Sequence, residues 1–175
     1  MLGSARIGEG DPRWTEARRL GGLLAEAGWT VVTGGYGGLM AAVSRGAHER
    51  GGRVVGLPMR AWAAQRPNRW CHELRWAADY GARLGHLLRA DAVVALDGGV
   101  GTLSEAAVVW AALQTEERAP ALILVGEAWR RLLGAFAAQL VVDQRDLALP
   151  QVVPTADQVP AAIATPRRRG ARPRG

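Results

Sequence analysis

Residues 91–114, DAVVALDGGVGTLSEAAVVWAALQ, decide the fold that we predict for this chain. The run begins with a short apolar segment, which is typical of a strand buried on both faces. Three glycines follow within four residues, and after them comes a long apolar segment typical of a helix. A buried strand that turns through glycines directly into a helix is the repeating unit of parallel α/β sheets.

The rest of the chain repeats this alternation. Apolar residues spaced three and four apart, or glycine-bounded segments of helical length, predict helices over residues 13–27, 39–50, 79–90, 101–114 and 127–140. Short apolar runs predict strands over 29–33, 53–57, 91–96 and 120–126, and a final short strand and helix near 149–163. Residues 58–76 are expected to form a long loop with a short strand near its end. Only MLGSAR precedes the first helix, so the first strand is either very short or begins upstream.

We therefore predict a Rossmann-like α/β fold of three layers, with a central parallel sheet flanked by helices. The expected domain is residues 1–163, followed by a disordered Arg-rich tail at 164–175. The net charge of +6 comes mostly from this tail, which holds five arginines and no acid. A Pro-, Gly- and Arg-rich segment buries little apolar surface, so we expect a solubilising end and no nucleic-acid contact.

Composition excludes several classes of protein. All 22 basic residues are arginine, so the chain lacks the lysine that a pyridoxal-phosphate enzyme or a Walker phosphate loop needs. The single cysteine, Cys71, excludes an internal disulfide framework. No apolar run approaches the roughly 18 residues of a membrane span and no secretory signal opens the chain, so we expect no membrane partner and a cytoplasmic location.

Polar or glycine-rich turns follow three of the predicted strands: GSAR, TGGYGGLM and DGGVGTLSE. In an open parallel sheet these strand ends face the ligand. Glycine lets backbone approach a ligand closely, and a helix N-terminus offers free N–H groups to a phosphate. We predict a phosphate or nucleotide site formed by Gly3, Ser4, Gly34, Gly35, Gly37, Gly98, Gly99, Gly101 and Thr102. For Thr102 the alternative is a role as a helix cap.

Glu105 needs a separate explanation, because a carboxylate beside a bound anion is unfavourable unless it addresses another group. A ribose is such a group. Glycosidic cleavage passes through a sugar cation, which a carboxylate stabilises while it orients the attacking water. The alternative is a glutamate that lies in the first turn of a helix because the macrodipole favours it there.

The two glycine signatures resemble those of the LONELY GUY (LOG) family. TGGYGGLMAAVSRGA and DGGVGTLSE stand in the order of that family's GGGxxGLMGAxxxxA and PGGxGTxxE, and the similarity runs roughly from Gly3 to Leu133. The resemblance implies hydrolysis of a nucleoside 5′-monophosphate such as AMP to free base and ribose 5-phosphate, as in cytokinin activation. Some members carry the label lysine decarboxylase, which is untenable for a chain without lysine. We expect no cofactor.

Catalytic members of the family carry an Arg-Lys pair on the helix before the second signature. An ungapped alignment puts Ala82 at the arginine and Arg83 at the lysine, whereas a shift of one residue gives Arg83 the place of the arginine. One residue is about 100° around a helix, so the two registers put different side chains towards the site. The predicted catalytic pair is Glu105, beside the sugar, with Arg83 as a clamp for phosphate or ribose. Asp97 replaces the family's proline and must point away from phosphate or find a partner.

Two other functions stay open. GTLSE also resembles the turns of molybdenum-cofactor carriers and nucleotide-sensing modules, which bind a phosphate-bearing ligand without turning it over. A Rossmann oxidoreductase fits less well, because no GxGxxG follows the first strand and Thr33 stands where an acid is needed.

Three further expectations concern partners and ligands. Helix 101–114 is apolar on more than one face, which predicts burial against a second copy in a homodimer, and LOG-like proteins pair in a similar way through helices near the site. We expect no metal site, because His48, His86 and the Cys71–His72 pair lack further ligands at metal spacing. Three tryptophans lie in or beside the irregular segment and are candidates for a base pocket or a subunit interface: Trp62, Trp70 and Trp76.

Overall fold

The computed structural model describes residues 1–164. The helices within this range are α1 Pro12–Glu26, α2 Leu39–Glu49, α3 Tyr80–Leu88, α4 Val100–Thr115, α5 Glu127–Gln139, α6 Gln144–Leu147 and α7 Val159–Ala164. The strands are β1 Val31–Thr33, β2 Val54–Gly56, β3 Glu73–Leu74, β4 Ala92–Ala95, β5 Ala121–Val125 and β6 Gln151–Val153. The predicted helices and strands are all present, and α6 is an addition. The predicted tail lies outside the described residues except for Ala164, and the domain boundary at 163 stays a prediction.

The sheet is parallel throughout and consists of two halves. The strand orders are β1-β2-β3 and β4-β5-β6. The chain between the halves is the N-terminal segment, in which Leu2 bridges Ala95 and the Met1 nitrogen donates to the Val32 carbonyl at 2.8 Å. The first strand is thus reduced to a single bridge, and the overall order is β3-β2-β1-Leu2-β4-β5-β6. The Rossmann-like α/β fold is confirmed.

Two apolar layers cover the faces of this sheet. Alternate residues of one strand point to opposite faces, and in β5 Leu122 and Leu124 join one layer while Ile123 joins the other. One layer packs against α1, α2 and α7, and the other against α4 and α5. Both faces are therefore buried, which explains the continuous apolar strands of the sequence.

Helices α1 and α2 touch through glycine. A Cβ on Gly46 would collide with the Arg18 carbonyl, and a Cβ on Gly21 would collide with the Val43 carbonyl. The two backbones can therefore approach only because neither position carries a side chain. This contact therefore sets the close spacing of α1 and α2.

Among residues 1–164, no helix combines the length and the apolar character that crossing a membrane requires.

Candidate functional site

The three predicted turns meet at the carboxyl edge of the sheet. The Ser4 amide donates to the Asp97 carbonyl at 2.9 Å, and the Leu39 amide donates to the Ser4 carbonyl at 2.8 Å. Gly38, with φ of +65°, lies so close to Ser4 that a Cβ there would collide with its carbonyl. The structure thus brings the turns containing Gly3 and Ser4, Gly34 to Gly37 and Gly98 to Thr102 into one cluster.

The turn after β4 presents the N-terminus of α4. Gly99 is the N-cap residue and no side chain caps the helix, so the N–H groups of the first turn have no intrahelical partner. A Cβ on Gly99 or on Gly101 would have no atom within 4 Å. The backbone at these two glycines therefore faces open space, as a site for an anion requires.

Gly98 and Thr102 form the packed side of the same turn. The Thr102 side chain lies directly over Gly98, where it would collide with any Cβ. Thr102 is 6% exposed and does not cap the helix. Gly98 is thus required by packing, and a hydrogen bond from Thr102 to a ligand stays a prediction.

Asp97 forms an ion pair with Arg13. Its Oδ2 accepts from Nη1 of Arg13 at 3.3 Å, and Arg13 also pairs with Asp11, the N-cap of α1, at 2.6 Å. Hydrogen bonds from Arg13 lower the pKa of Asp11 to about 2. The guanidinium from α1 is therefore shared between two carboxylates and offsets part of the charge of Asp97, which replaces the family's proline.

The glycines of the turn after β1 differ in role. Gly35 has φ of +81°, and its Cβ position lies 3.4 Å from the Gly56 Cα, so it serves the close packing of the turn on β2. Gly37 has only the Ala5 carbonyl, at 3.9 Å, near its Cβ position. At Gly34 a Cβ would lie 2.6 Å from Sδ of Met40 and 2.9 Å from Nη2 of Arg83, so this glycine makes room for both side chains.

Arg83 and Glu105 form an ion pair with little exposure. Arg83 Nε donates to Glu105 Oε1 at 2.6 Å, and Arg83 Nη1 donates to the Leu57 carbonyl at 2.7 Å. The two side chains are 12% and 8% exposed. Ala82, by contrast, is exposed and its amide bonds to the N-cap Asp79. Of the two candidate positions on α3, Ala82 and Arg83, it is therefore Arg83 whose side chain faces Glu105.

The loop between β2 and β3 closes over the turn after β1. The Met59 amide donates to the Tyr36 hydroxyl at 2.8 Å, and Asn68 bonds to the carbonyls of Gly35 and Tyr36 at 2.7 and 3.0 Å. The ring of Trp62 lies 5.9 Å from that of Tyr36 and is 46% exposed. Sequence reasoning missed Tyr36 and Asn68. The one available signal was an aromatic residue in a run of glycines.

The other two candidate tryptophans lie apart from this arrangement. Trp70 packs against His48, at 5.4 Å between ring centroids, and under the guanidinium groups of Arg45 and Arg69. Trp76 is 37% exposed, next to the bridge between Met59 and Ala77. Trp62 is thus the tryptophan that contacts a predicted ligand-binding turn.

Comparison with known proteins gives a consistent result for family and fold. The model of the SLOG cluster4 family matches residues 1–124. A cytokinin riboside 5′-monophosphate phosphoribohydrolase of Arabidopsis thaliana is 34% identical over 128 residues, which are 70% of this chain and 59% of that protein. The chain therefore spans about three fifths of the length of this plant relative.

Solved structures share the fold at low identity. The molybdenum cofactor binding protein of Rippkaea orientalis has a TM-score of 0.71 at 23% identity, covering 93% of this chain and 91% of its own. The molybdenum cofactor carrier protein of Chlamydomonas reinhardtii has a TM-score of 0.67 at 24% identity, covering 93% and 92%. At this identity the likeness concerns the fold alone.

Proposed function

Because the chain belongs to the SLOG cluster4 family, we propose that it is a nucleoside 5′-monophosphate phosphoribohydrolase that releases free base and ribose 5-phosphate from an AMP-like ligand. The observation that carries the proposal is the position of Glu105. Its carboxylate is held by Arg83 one turn into the helix whose open N-terminus suits a phosphate. A carboxylate beside an anion site can stabilise the sugar cation that forms next to a bound phosphate.

The phosphate is proposed to bind at the start of α4. A helix N-terminus carries roughly half a positive charge and points its N–H groups at the ligand. The open surface at Gly99 and Gly101 admits an oxygen close to backbone, and Ser4, Gly34 and Gly37 border the same cluster. Arg13 donates to Asp97 as well as to Asp11, so it offsets part of the negative charge that would oppose the anion.

Glu105 and Arg83 are proposed to carry the chemistry. The bond between C1′ of the ribose and the base nitrogen breaks, water supplies the oxygen that bonds to C1′, and its proton ends on the departing base. Glu105 stabilises the cationic sugar and orients that water. Arg83 uses two of its five N–H groups on Glu105 and Leu57, so three stay available to hold ribose or phosphate.

The base is proposed to lie towards Trp62. This side chain is fixed on Tyr36, is nearly half exposed and projects from the loop at the carboxyl edge of the sheet. Stacking of a base on an aromatic ring is worth about 1–3 kcal/mol. We therefore expect Trp62→Ala to weaken AMP binding by roughly 5- to 150-fold. Trp76→Ala, at a similarly exposed tryptophan between β3 and α3, is the control.

A carrier or sensor of nucleotides or of the molybdenum cofactor is the second candidate. The specific observation in its favour is that the Glu105 carboxylate is engaged by Arg83 and almost completely buried, as a purely structural ion pair would be. In that case the same turns bind the phosphate-bearing ligand and no bond is broken.

The deciding experiment incubates the protein with AMP, GMP, CMP and UMP and follows free base by chromatography. Glu105→Gln keeps an acceptor for Arg83 Nε but removes the charge, so we expect retained binding and a kcat lower by about 10²- to 10⁴-fold. The carrier function would be favoured over the enzyme if the protein binds AMP tightly but releases no adenine over hours, and if Glu105→Gln changes neither result.

Calorimetry with AMP on the Gly99→Val variant tests the proposed phosphate-binding site. A Cβ at Gly99 meets no protein atom within 4 Å, so we expect the variant to fold while its branched side chain obstructs the ligand. Gly10→Val, where a Cβ also has open space, is the matched control. Equal AMP affinity in both variants would show that the phosphate binds elsewhere.

A second copy of the chain is the proposed partner. The outward side of α4 carries an apolar stripe of Val100, which is 84% exposed, Leu103, which is 45% exposed, and the exposed Ala107 and Ala111. The neighbouring α3 has no buried residue although it contains three leucines. An apolar stripe of this kind is stabilised when it is covered.

A further inference from the structure

The connection between β2 and β3, residues 57–72, carries positive charge that its own residues do not balance. It contains three arginines and no aspartate or glutamate. These arginines are Arg60, Arg66 and Arg69, and all three are exposed. Within residues 1–164 most arginines pair with a carboxylate, whereas these three have no carboxylate partner. Unpaired guanidinium groups concentrated on one loop favour an anionic partner.

Hydrogen bonds hold this connection beside the proposed ligand site. Asn68, two residues after Arg66, bonds to two carbonyls of the turn after β1 at 2.7 and 3.0 Å. The Arg60 amide donates at 3.0 Å to the carbonyl of Ala77, in the segment that leads into α3. The two arginines therefore extend from fixed backbone that borders a predicted ligand-binding turn.

Positive charge continues on both sides of these two arginines. Arg6 follows Ala5, whose carbonyl lies 3.9 Å from the Cβ position of Gly37 in the turn after β1. Arg6 is exposed and pairs with no carboxylate of the described part of the chain. On the side towards β3, the guanidinium carbon of Arg69 lies 4.4 Å from the ring centroid of Trp70. The cations therefore extend well beyond the place proposed for one phosphate.

Exposed aromatic rings accompany these cations. Trp62 and Trp76 are both exposed, and the bridge between Met59 and Ala77 brings their two segments together. Open aromatic faces stack on bases, and guanidinium groups hold the phosphates between them. Aromatic and cationic side chains on one surface therefore fit a ligand in which base and phosphate repeat.

We propose that this surface binds a single-stranded oligonucleotide by its 5′-phosphorylated end. The terminal nucleotide would lie where AMP is proposed to bind, the following phosphates would meet the arginines, and the second base would stack on Trp76. A mononucleotide has no phosphates for these additional cations, whereas a strand supplies one with each nucleotide. The inference rests on the proposed function only for the position of the first nucleotide, and it involves no bond cleavage. The proposed surface consists of Arg6, Arg60, Trp62, Arg66, Arg69 and Trp76.

The test is a length series measured by calorimetry on the full chain. The probes are AMP and 5′-phosphorylated oligoadenylates of two, three and four nucleotides, with ATP as a mononucleotide that carries extra phosphates. We expect the affinity to rise by about tenfold or more from AMP to the tetranucleotide, because one added stacked base alone contributes roughly 5- to 150-fold. Three added phosphate contacts should also steepen the logarithmic dependence of affinity on salt by about 2, since each contact on a single strand contributes about 0.7.

Two variants with equal loss of charge locate the binding surface. The loop variant replaces Arg60, Arg66 and Arg69 by Gln, and it should lose the gain with length and the steeper salt dependence. The tail variant makes the same replacement at residues 167–169, which are also arginines, and it should keep both. Trp76→Ala, the control in AMP binding, should weaken binding of the tetranucleotide.

Three outcomes would overturn the proposal. One is equal affinity for AMP and the tetranucleotide, and another is a gain that the tail variant loses and the loop variant keeps. The third is an affinity for ATP equal to that for the tetranucleotide, which would assign the arginines to a mononucleotide with more phosphates. The proposed hydrolase fails separately, through AMP that is bound without release of adenine, and that result leaves the length series unaffected.

Discussion

Removing one member of the Arg83–Glu105 pair should destabilise the protein strongly. The side chains are 12% and 8% exposed and meet at 2.6 Å, so Arg83→Met leaves a carboxylate buried without its counter-charge and the Leu57 carbonyl without its donor. Breaking a buried ion pair in this way costs about 3–5 kcal/mol. For a chain of this length 1 kcal/mol shifts Tm by about 2–4 °C, so the expected loss is roughly 6–20 °C.

The assay is a double-mutant cycle by urea and thermal unfolding. Glu105→Met alone should cost a similar amount, because it leaves a buried guanidinium unpaired. The double variant Arg83→Met with Glu105→Met should recover most of the loss, since apolar side chains of similar length can replace a buried ion pair at little cost. The matched control is Arg19→Met, which removes a pair with Asp157 at 2.8 Å whose side chains are 66% and 47% exposed.

An exposed ion pair contributes about 0–1 kcal/mol to stability, so Arg19→Met should change the free energy of unfolding and Tm very little. The reasoning fails if Arg83→Met costs no more than Arg19→Met, or if the double variant loses the sum of the two single losses. Either result would mean that water screens the pair and that Arg83 does not fix the position of Glu105.

Three further predictions concern packing, reactivity and assembly. Gly46→Ala should destabilise the fold because its Cβ meets the Arg18 carbonyl. Gly134→Ala, with open space in α5, should instead stabilise it by about 0.5–1 kcal/mol. If urea unfolding shows that both variants change the free energy of unfolding in the same direction, the contact is contradicted. Burial raises the pKa of the Cys71 thiol, so less thiolate exists at pH 8. The reaction of Cys71 with an aromatic disulfide should therefore be slower than in unfolded protein; equal rates would show an accessible thiol. Light scattering at micromolar concentration should show a dimer. Leu103→Glu, on the apolar stripe of α4, should dissociate it, whereas Leu132→Glu, at an exposed leucine of α5, should not. A monomeric unmodified chain would count against the interface.

The fold was predictable from local patterns because most of its determinants lie close together in the sequence. The nine residues DGGVGTLSE follow β4 closely and contain the N-cap and the first turn of α4. TGGYGGLM contains the end of β1 and the start of α2. The alternation of such units dictates parallel pairing. Helix α6 was missed because it is a four-residue turn, too short for any apolar period to show.

The site was predictable only in part, because its decisive contacts join distant residues. Arg83 and Glu105 are 22 residues apart, and Tyr36 and Met59 are 23 apart. The choice between Ala82 and Arg83 depended on the rotation of α3, which periodicity leaves undetermined within one residue. Asp97 was recognised as an acid that needed a partner, yet Arg13 lies 84 positions away and nothing in the local sequence indicates it.

The charges around α4 explain why two acids can border a site proposed for an anion. Asp97 and Glu105 stand on either side of the helix N-terminus, and uncompensated they would cancel its dipole. Arg83 from α3 pairs with Glu105, and Arg13 from α1, which also pairs with Asp11, donates to Asp97. Both contacts reduce the negative potential at the backbone N–H groups of Gly99. A planar guanidinium can bond to a carboxylate through one nitrogen and still offer others to a ligand. The absence of lysine from the chain is therefore compatible with the proposed phosphate site, because arginine can serve both the pairing and the recognition.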